Sequence, residues 1–178
     1  MSNSTGKHYL ENCIKEFKGI KSLGDKTFGR IKDEDFFRAP DTESNSIAVI
    51  VRHLSGNMIS RWTDFLTSDG EKPDRNRDEE FERLFYTDKD DIISRWEKGW
   101  NSLFDALESL NESDLLKIVY IRNQPLTVIE AINRQLTHYS YHIGQIVYLA
   151  KHFMLLEWKS LSIEKGKSDE FNRKLMKR

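Results

Sequence analysis

His138 and His142 stand four residues apart inside a long stretch with helical apolar periodicity. On an α-helix that spacing places both imidazoles on one face, so both can reach a single point in space. A helix presents two metal ligands in this way. Zn²⁺ and similar ions take neutral imidazole nitrogen at about 2.0–2.1 Å, and the i,i+4 spacing supplies two such nitrogens without loop strain. A third ligand must come from another element, and His53 is the candidate. Three histidines leave a coordination position open for water or substrate. An ion so held lowers the pKa of a water or thiol that it binds.

A bare His-x-x-x-His pair is a weak signal, and a histidine on a helix flank is by default structural or solvated. The Glu of the His-Glu-x-x-His metalloprotease motif is absent, because Tyr139 stands in its place. No Glu-x-x-His occurs, which argues against a di-iron carboxylate site. Gly166-Lys167-Ser168 has the ending of a phosphate-binding loop. Leu161 occupies the place of the required glycine and no strand precedes it, so that reading is rejected.

The elements that must position the histidines follow from the apolar rhythm. A first helix runs from about Lys7 to Gly29 on Leu10, Ile14, Phe17 and Ile20, after a small polar start (1–6) expected to be disordered. His8 reads as solvated at its start and Cys13 as a small buried hydrophobe. Residues 31–45 read as a loop, with Ser44 or Asn45 as the N-cap of a second helix over 46–66. That helix has the core stripe Ile47, Val51, Leu54, Met58, Trp62 and Phe65. At about 100° per residue, His53 falls at the border of the stripe, level with Ile50 and Asn57.

Residues 67–86 form a polar connection longer than a usual loop, which points either to a functional segment or to a short helical turn around Phe81, Leu84 and Phe85; its mixed charges read as a solvated surface. Thr87 and Asp88 begin a third helix, with the stripe Ile92, Trp96, Trp100, Leu103, Leu107 and Leu110. The β-branched run Leu116–Ile121 and the turn at 122–125 predict a short extended segment or hairpin. Thr127 and Glu130 then form a capping box for a fourth long helix to about His152. Its stripe is Val128, Ile132, Leu136, Tyr139, Ile143, Ile146 and Ala150, with His138 and His142 on the flank. Two helices that each carry histidine on a flank can meet with those flanks facing one crevice. The tail, 157–178, reads as a docked apolar patch (Trp158, Leu161, Ile163) and then a charged end.

Composition sets the outer bounds. The 178 residues fit one domain, 1–178, with a sizeable core. A net charge of −1 gives no electrostatic footprint for nucleic acid. With 38% hydrophobic and 32% charged residues, and only three prolines, the chain suits a helical bundle with a narrow apolar core. No run reaches the ~18–20 apolar residues of a membrane span, and the N-terminus has no apolar segment of the secretory kind. A single cysteine allows no disulfide within the chain and suits a reducing, cytoplasmic setting.

Three motifs carry a resemblance to a known family. They are Val51-Arg52-His53-Leu54, the turn ending in Gln124-Pro125-Leu126-Thr127, and His138-x-x-x-His142-x-Gly144-Gln145-Ile146. Through them the chain resembles the DinB/YfiT-like superfamily of metal-dependent enzymes, from the first helix to about His152. The stretch from Leu126 to Ile146 is similar to a subfamily without assigned function.

The resemblance implies an all-α fold: a DinB-like four-helix bundle with a short extended segment or hairpin before the last long helix. It carries the family's metal ligands onto His53, His138 and His142, and implies a divalent ion such as Zn²⁺ or Ni²⁺ and a homodimer. Characterised relatives include thiol-S-transferases that use bacillithiol or mycothiol and a mycothiol-dependent maleylpyruvate isomerase; others carry a hydrolase label. The expected function is therefore a metal-dependent thiol S-transferase, with a low-molecular-weight thiol as cosubstrate, or a hydrolase, acting on a small molecule. The alternative is a non-catalytic metal- or ligand-binding stress protein, since no residue stands out as a general base.

Asn57, Gln135, Tyr141 and Gln145 are the candidates to accept the second N–H of a ligating imidazole. Arg52 and Arg134 are candidates to hold an anionic substrate, with ordinary surface arginine as their default reading.

Overall fold

Four long helices carry the chain in the computed structural model, which describes residues 4–82 and 88–176. Each starts where a side chain satisfies an otherwise unpaired amide, as helix N-termini require. Ser4 Oγ accepts from Lys7 N at 3.3 Å to open α1 (Thr5–Phe28). The helix therefore reaches back into the stretch expected to be disordered, where Gly6 is buried and donates to Glu112 Oε1 at 3.2 Å. Ser46, and not Ser44 or Asn45, caps α3 (Ile47–Trp62), because Ser44 is held by Asp41 instead. Asp88 caps α4 (Lys89–Ser109), while Thr87, Leu84 and Phe85 fall outside the described residues. Thr127 and Glu130 close the expected capping box at the start of α5 (Val128–Met154).

Shorter elements fill the gaps. The region read as a loop holds α2 (Asp33–Phe37), whose buried Phe36 meets Phe28 edge-to-face at 5.7 Å. Strands β1 (Ile118–Ile121) and β2 (Gln124–Thr127) pair antiparallel, Ile121 opposite Gln124, across a two-residue turn. Both turn residues, Arg122 and Asn123, have positive φ (56° and 59°), as a type I′ turn demands. Asp69 compensates by accepting from both turn amides, at 2.9 and 2.7 Å.

In the tail, Trp158 packs on the core and Leu161 is half-buried. Ile163 is exposed, and the charged end forms α6 (Ser168–Leu175) with no buried residue. The described chain is thus mostly helical with one small sheet. None of its helices is long and apolar enough to cross a membrane.

The core lies between the apolar stripes of the long helices and is centred on Phe17, Trp62, Trp100 and Tyr139. Phe17 sits 6.5, 6.3 and 6.0 Å from the other three rings, in edge or tilted contact. Helices α3 and α4 approach closely at Gly99, where an added Cβ would lie 3.1 Å from Ser55 Cα. Helices α3 and α5 are tied by a buried chain: Trp62 Nε1 donates to Tyr139 OH, which donates to Asn57 Oδ1, each at 3.1 Å. Tyr139 adjoins His138, and Asn57 is one turn from His53. The bonds that fix the helix spacing therefore lie beside the histidines.

Candidate metal centre

His53 comes from the middle of α3, and His138 and His142 from successive turns of α5. Each offers one ring nitrogen to a common point, and those atoms all lie within 4.8 Å of one another. The nearest pair, His53 Nε2 and His138 Nε2, are 3.4 Å apart. Tetrahedral ligands at about 2.0–2.1 Å from one ion would stand roughly 3.3 Å apart, so this spacing fits a shared ion. The rings cross at steep angles, 85°, 82° and 68°, as ligands converging on one centre from different directions do. Among the described residues the group has three members, all histidine.

Two of the three imidazoles are oriented by an acceptor at the other ring nitrogen, and that acceptor decides which nitrogen carries the proton. Gln145 Oε1 lies 2.8 Å from His142 Nδ1, while its amide nitrogen donates to Tyr141 OH at 3.1 Å. This leaves His142 Nε2 free. Of the four residues expected to support the imidazoles, only Gln145 bonds one. Tyr141 acts through Gln145, Asn57 is used by Tyr139, and Gln135 is buried with its Oε1 unpartnered among the described residues.

Glu80, which sequence reasoning missed, supports His53. Its Oε2 accepts from His53 Nδ1 at 2.9 Å, so His53 also turns a free Nε2 toward the common point. Glu80 sits in a 3₁₀ turn (Asp78–Phe81) of the connection read as solvated surface, yet it is only 8% exposed. Burial pushes its carboxyl pKa up. Hydrogen bonds from His53 and Arg75 outweigh that and hold it below the usual range.

Arg75 grips both Glu80 oxygens at 2.8 Å, and its own side chain is 5% exposed. Glu71 joins Arg75, Arg61 and Arg122 into one chain of ion pairs. Arg52 donates to the backbone carbonyls of Glu79, Glu80 and Glu82, so it anchors this turn and is not free to hold a substrate. His53, expected at a border position, is 4% exposed because the turn lies over it, with Phe81 at 4.7 Å between ring centroids. One local signal for Glu80 was present: Gly56 in the middle of α3, where glycine costs a helix about 1 kcal/mol. An added Cβ there would lie within van der Waals overlap of the Glu80 carboxylate.

Burial lowers the pKa of His138 to about 3, helped by the neighbouring His142 and His53, and lowers that of His142 as well. Both rings are therefore neutral at neutral pH, the form that ligates a metal. Cys13 takes no part: it is buried in the core and burial raises its thiol pKa. A cavity of ≈ 400 Å³ opens beside the three histidines. A larger hollow of ≈ 670 Å³ shares Asn45 and Phe81 with it but none of the histidines.

The model of a family described as "Protein of unknown function (DUF1572)", a DinB-like family, matches residues 4–167. The chain belongs to DUF1572. The match spans α1 through the end of α5, so this DUF1572 chain carries all three histidines and Glu80 inside the family region. No curated protein matches it.

Proposed function

We propose that this chain is a metal-dependent enzyme built on a DinB-like four-helix bundle. In this reading His53, His138 and His142 hold a divalent ion, Zn²⁺ or Ni²⁺. The reaction transfers a low-molecular-weight thiol to a small electrophile. The observation that carries the reading is the convergence of three imidazoles on one point at the wall of a cavity. Among the described residues no fourth protein ligand joins them, which favours an open position over a closed structural site.

The bound ion would act as a Lewis acid, favouring the thiolate form of a thiol, which is the nucleophilic form. The chain's own residues do the positioning. Glu80 and Gln145 fix the tautomers of His53 and His142, and the Trp62–Tyr139–Asn57 chain fixes the distance between α3 and α5. The turn at 78–81 covers His53 and limits water access to that side. A hydrolase would use the same three ligands with water in place of the thiol. A non-catalytic metal-binding role would need the cavity to stay closed to reactants.

Elemental analysis of tag-free protein tests the reading directly. Wild type should hold about one ion per chain under metal-replete conditions, and His53→Ala and His138→Ala should lose it. Metal-free wild type under those conditions would end the proposal. If metal is held, thiols are screened with model electrophiles, and rates no faster than those of the free ion would remove the transferase reading.

A further inference from the structure

The wall of the histidine cavity is strongly one-signed. Arg61, Arg75, Arg77, Arg122 and Arg134 line it, and no aspartate or glutamate does. Their roles differ. Arg61 and Arg75 are buried in ion pairs with Glu71 and Glu80, and Arg122 shares Glu71 with them. Three guanidinium groups thus draw on two carboxylates. Among the described residues Arg77 pairs only with the exposed Asp78, at 3.7 Å, and it stacks over Phe81. Arg134 is exposed and makes no ion pair among the described residues.

Arg134 is also placed in register with the histidines. Residues 134, 138 and 142 fall at i, i+4 and i+8 on α5, one stripe along a single helix face. Four residues of helix advance about 6 Å. A guanidinium stands one turn from His138 and faces the same cavity. The planar guanidinium fork matches a carboxylate or phosphate with two parallel hydrogen bonds. Next to Arg134 on α5, Gln135 also lines the cavity and keeps a buried Oε1 with no partner among the described residues, a polar group that a bound molecule's donor can satisfy after rotation of the amide.

We propose that the cavity takes a small anionic substrate whose carboxylate or phosphate is held by Arg134, so that its reacting atom lies at the three histidines about one helical turn away. The oxyanion subsite rests on the arginines alone. That the anion belongs to the reacting molecule rests on the metal-enzyme reading above.

The two parts are tested separately. Calorimetry on metal-free protein, at constant ionic strength in chloride, measures binding of succinate, inorganic phosphate and neutral succinamide. Wild type should bind at least one of the two anions and not succinamide. Arg134→Gln, checked for folding by circular dichroism, should weaken that binding about tenfold or more, as the loss of a charge-assisted pair predicts. Preference between succinate and phosphate tells which oxyanion the subsite is shaped for. Equal binding of succinamide, no anion binding by wild type, or less than a twofold change in Arg134→Gln overturns the subsite.

On cobalt-loaded protein, 3-mercaptopropionate should then bind about tenfold tighter than uncharged 2-mercaptoethanol, read from the thiolate absorption band. Arg134→Gln should bring the two affinities together. Loaded wild type with no preference overturns the link between anion and reacting group while leaving the metal reading intact. Failure of wild type to load cobalt counts against the metal reading and leaves the calorimetric result standing.

Discussion

An imidazole offers a metal only the nitrogen that does not carry its proton, so whatever holds the proton shapes the site. At His53 that group is Glu80, 2.9 Å from Nδ1 and itself clamped by Arg75. Replacing the carboxylate by an amide keeps the shape but removes the charge that would make His53 a stronger ligand for an ion held there. Glu80→Gln should weaken metal affinity about 10–100-fold, as loss of such a partner does elsewhere. Competition with a chromophoric chelator measures it, and an unchanged affinity would mean that Glu80 serves the fold alone. The three histidines were legible from helical phase together with the family resemblance, and Gln145 only as one of four candidates. Glu80 was not, because it lies 27 residues from His53 in a stretch whose charges look alike. Only the folded connection shows which of them is buried.

At the scale of elements, the stripes of the four long helices were readable because burial follows the 3.6-residue period. Every residue of the second and third stripes, from Ile47 to Phe65 and from Ile92 to Leu110, is buried, although α3 ends at Trp62, short of Phe65, and Leu110 is the C-cap of α4. The short helices α2 and α6 escaped notice, since five and eight residues give too little periodicity to register. The connection after α3 was misjudged for a different reason. Its charged residues pair across the fold, with Arg61 on α3 and Arg122 at the hairpin turn, and not with sequence neighbours alone.

Gly56 marks where this connection meets α3. On propensity alone, Gly56→Ala should stabilise an exposed helix by about 1 kcal/mol. Here the new methyl would collide with a carboxylate that Arg75 holds by two bonds. The variant should instead be less stable by about 1–3 kcal/mol, as overpacked sites are, and should bind metal more weakly. Urea unfolding distinguishes the two, and a stabilised variant would show that Glu80 is free to leave.

For the whole molecule, the buried histidines tie stability to pH. In the unfolded chain an imidazole titrates near the ordinary 6.5, whereas His138 in the metal-free fold titrates near 3 and His142 is also lowered. Between those values the unfolded state binds more protons than the folded one. The sign is therefore fixed: stability is full above about pH 6.5 and falls as pH drops through the window toward 3. Urea unfolding of metal-free protein from pH 7.5 to 4.5 should show this decline, and His138→Gln should flatten it. A slope unchanged by that substitution would place the acid sensitivity elsewhere.

The clamp on Arg75 has one more consequence, in the currency of proteolysis. Trypsin must draw an arginine side chain into its specificity pocket, and connections between helices are where proteases usually cut. Arg75 lies in such a connection, but its side chain is turned inward and tied to Glu80 and Glu71. The bond after Arg75 stays out of reach for as long as Glu80 backs His53. A nick at that bond is thus a chemical record that the support of the three-histidine site has come apart.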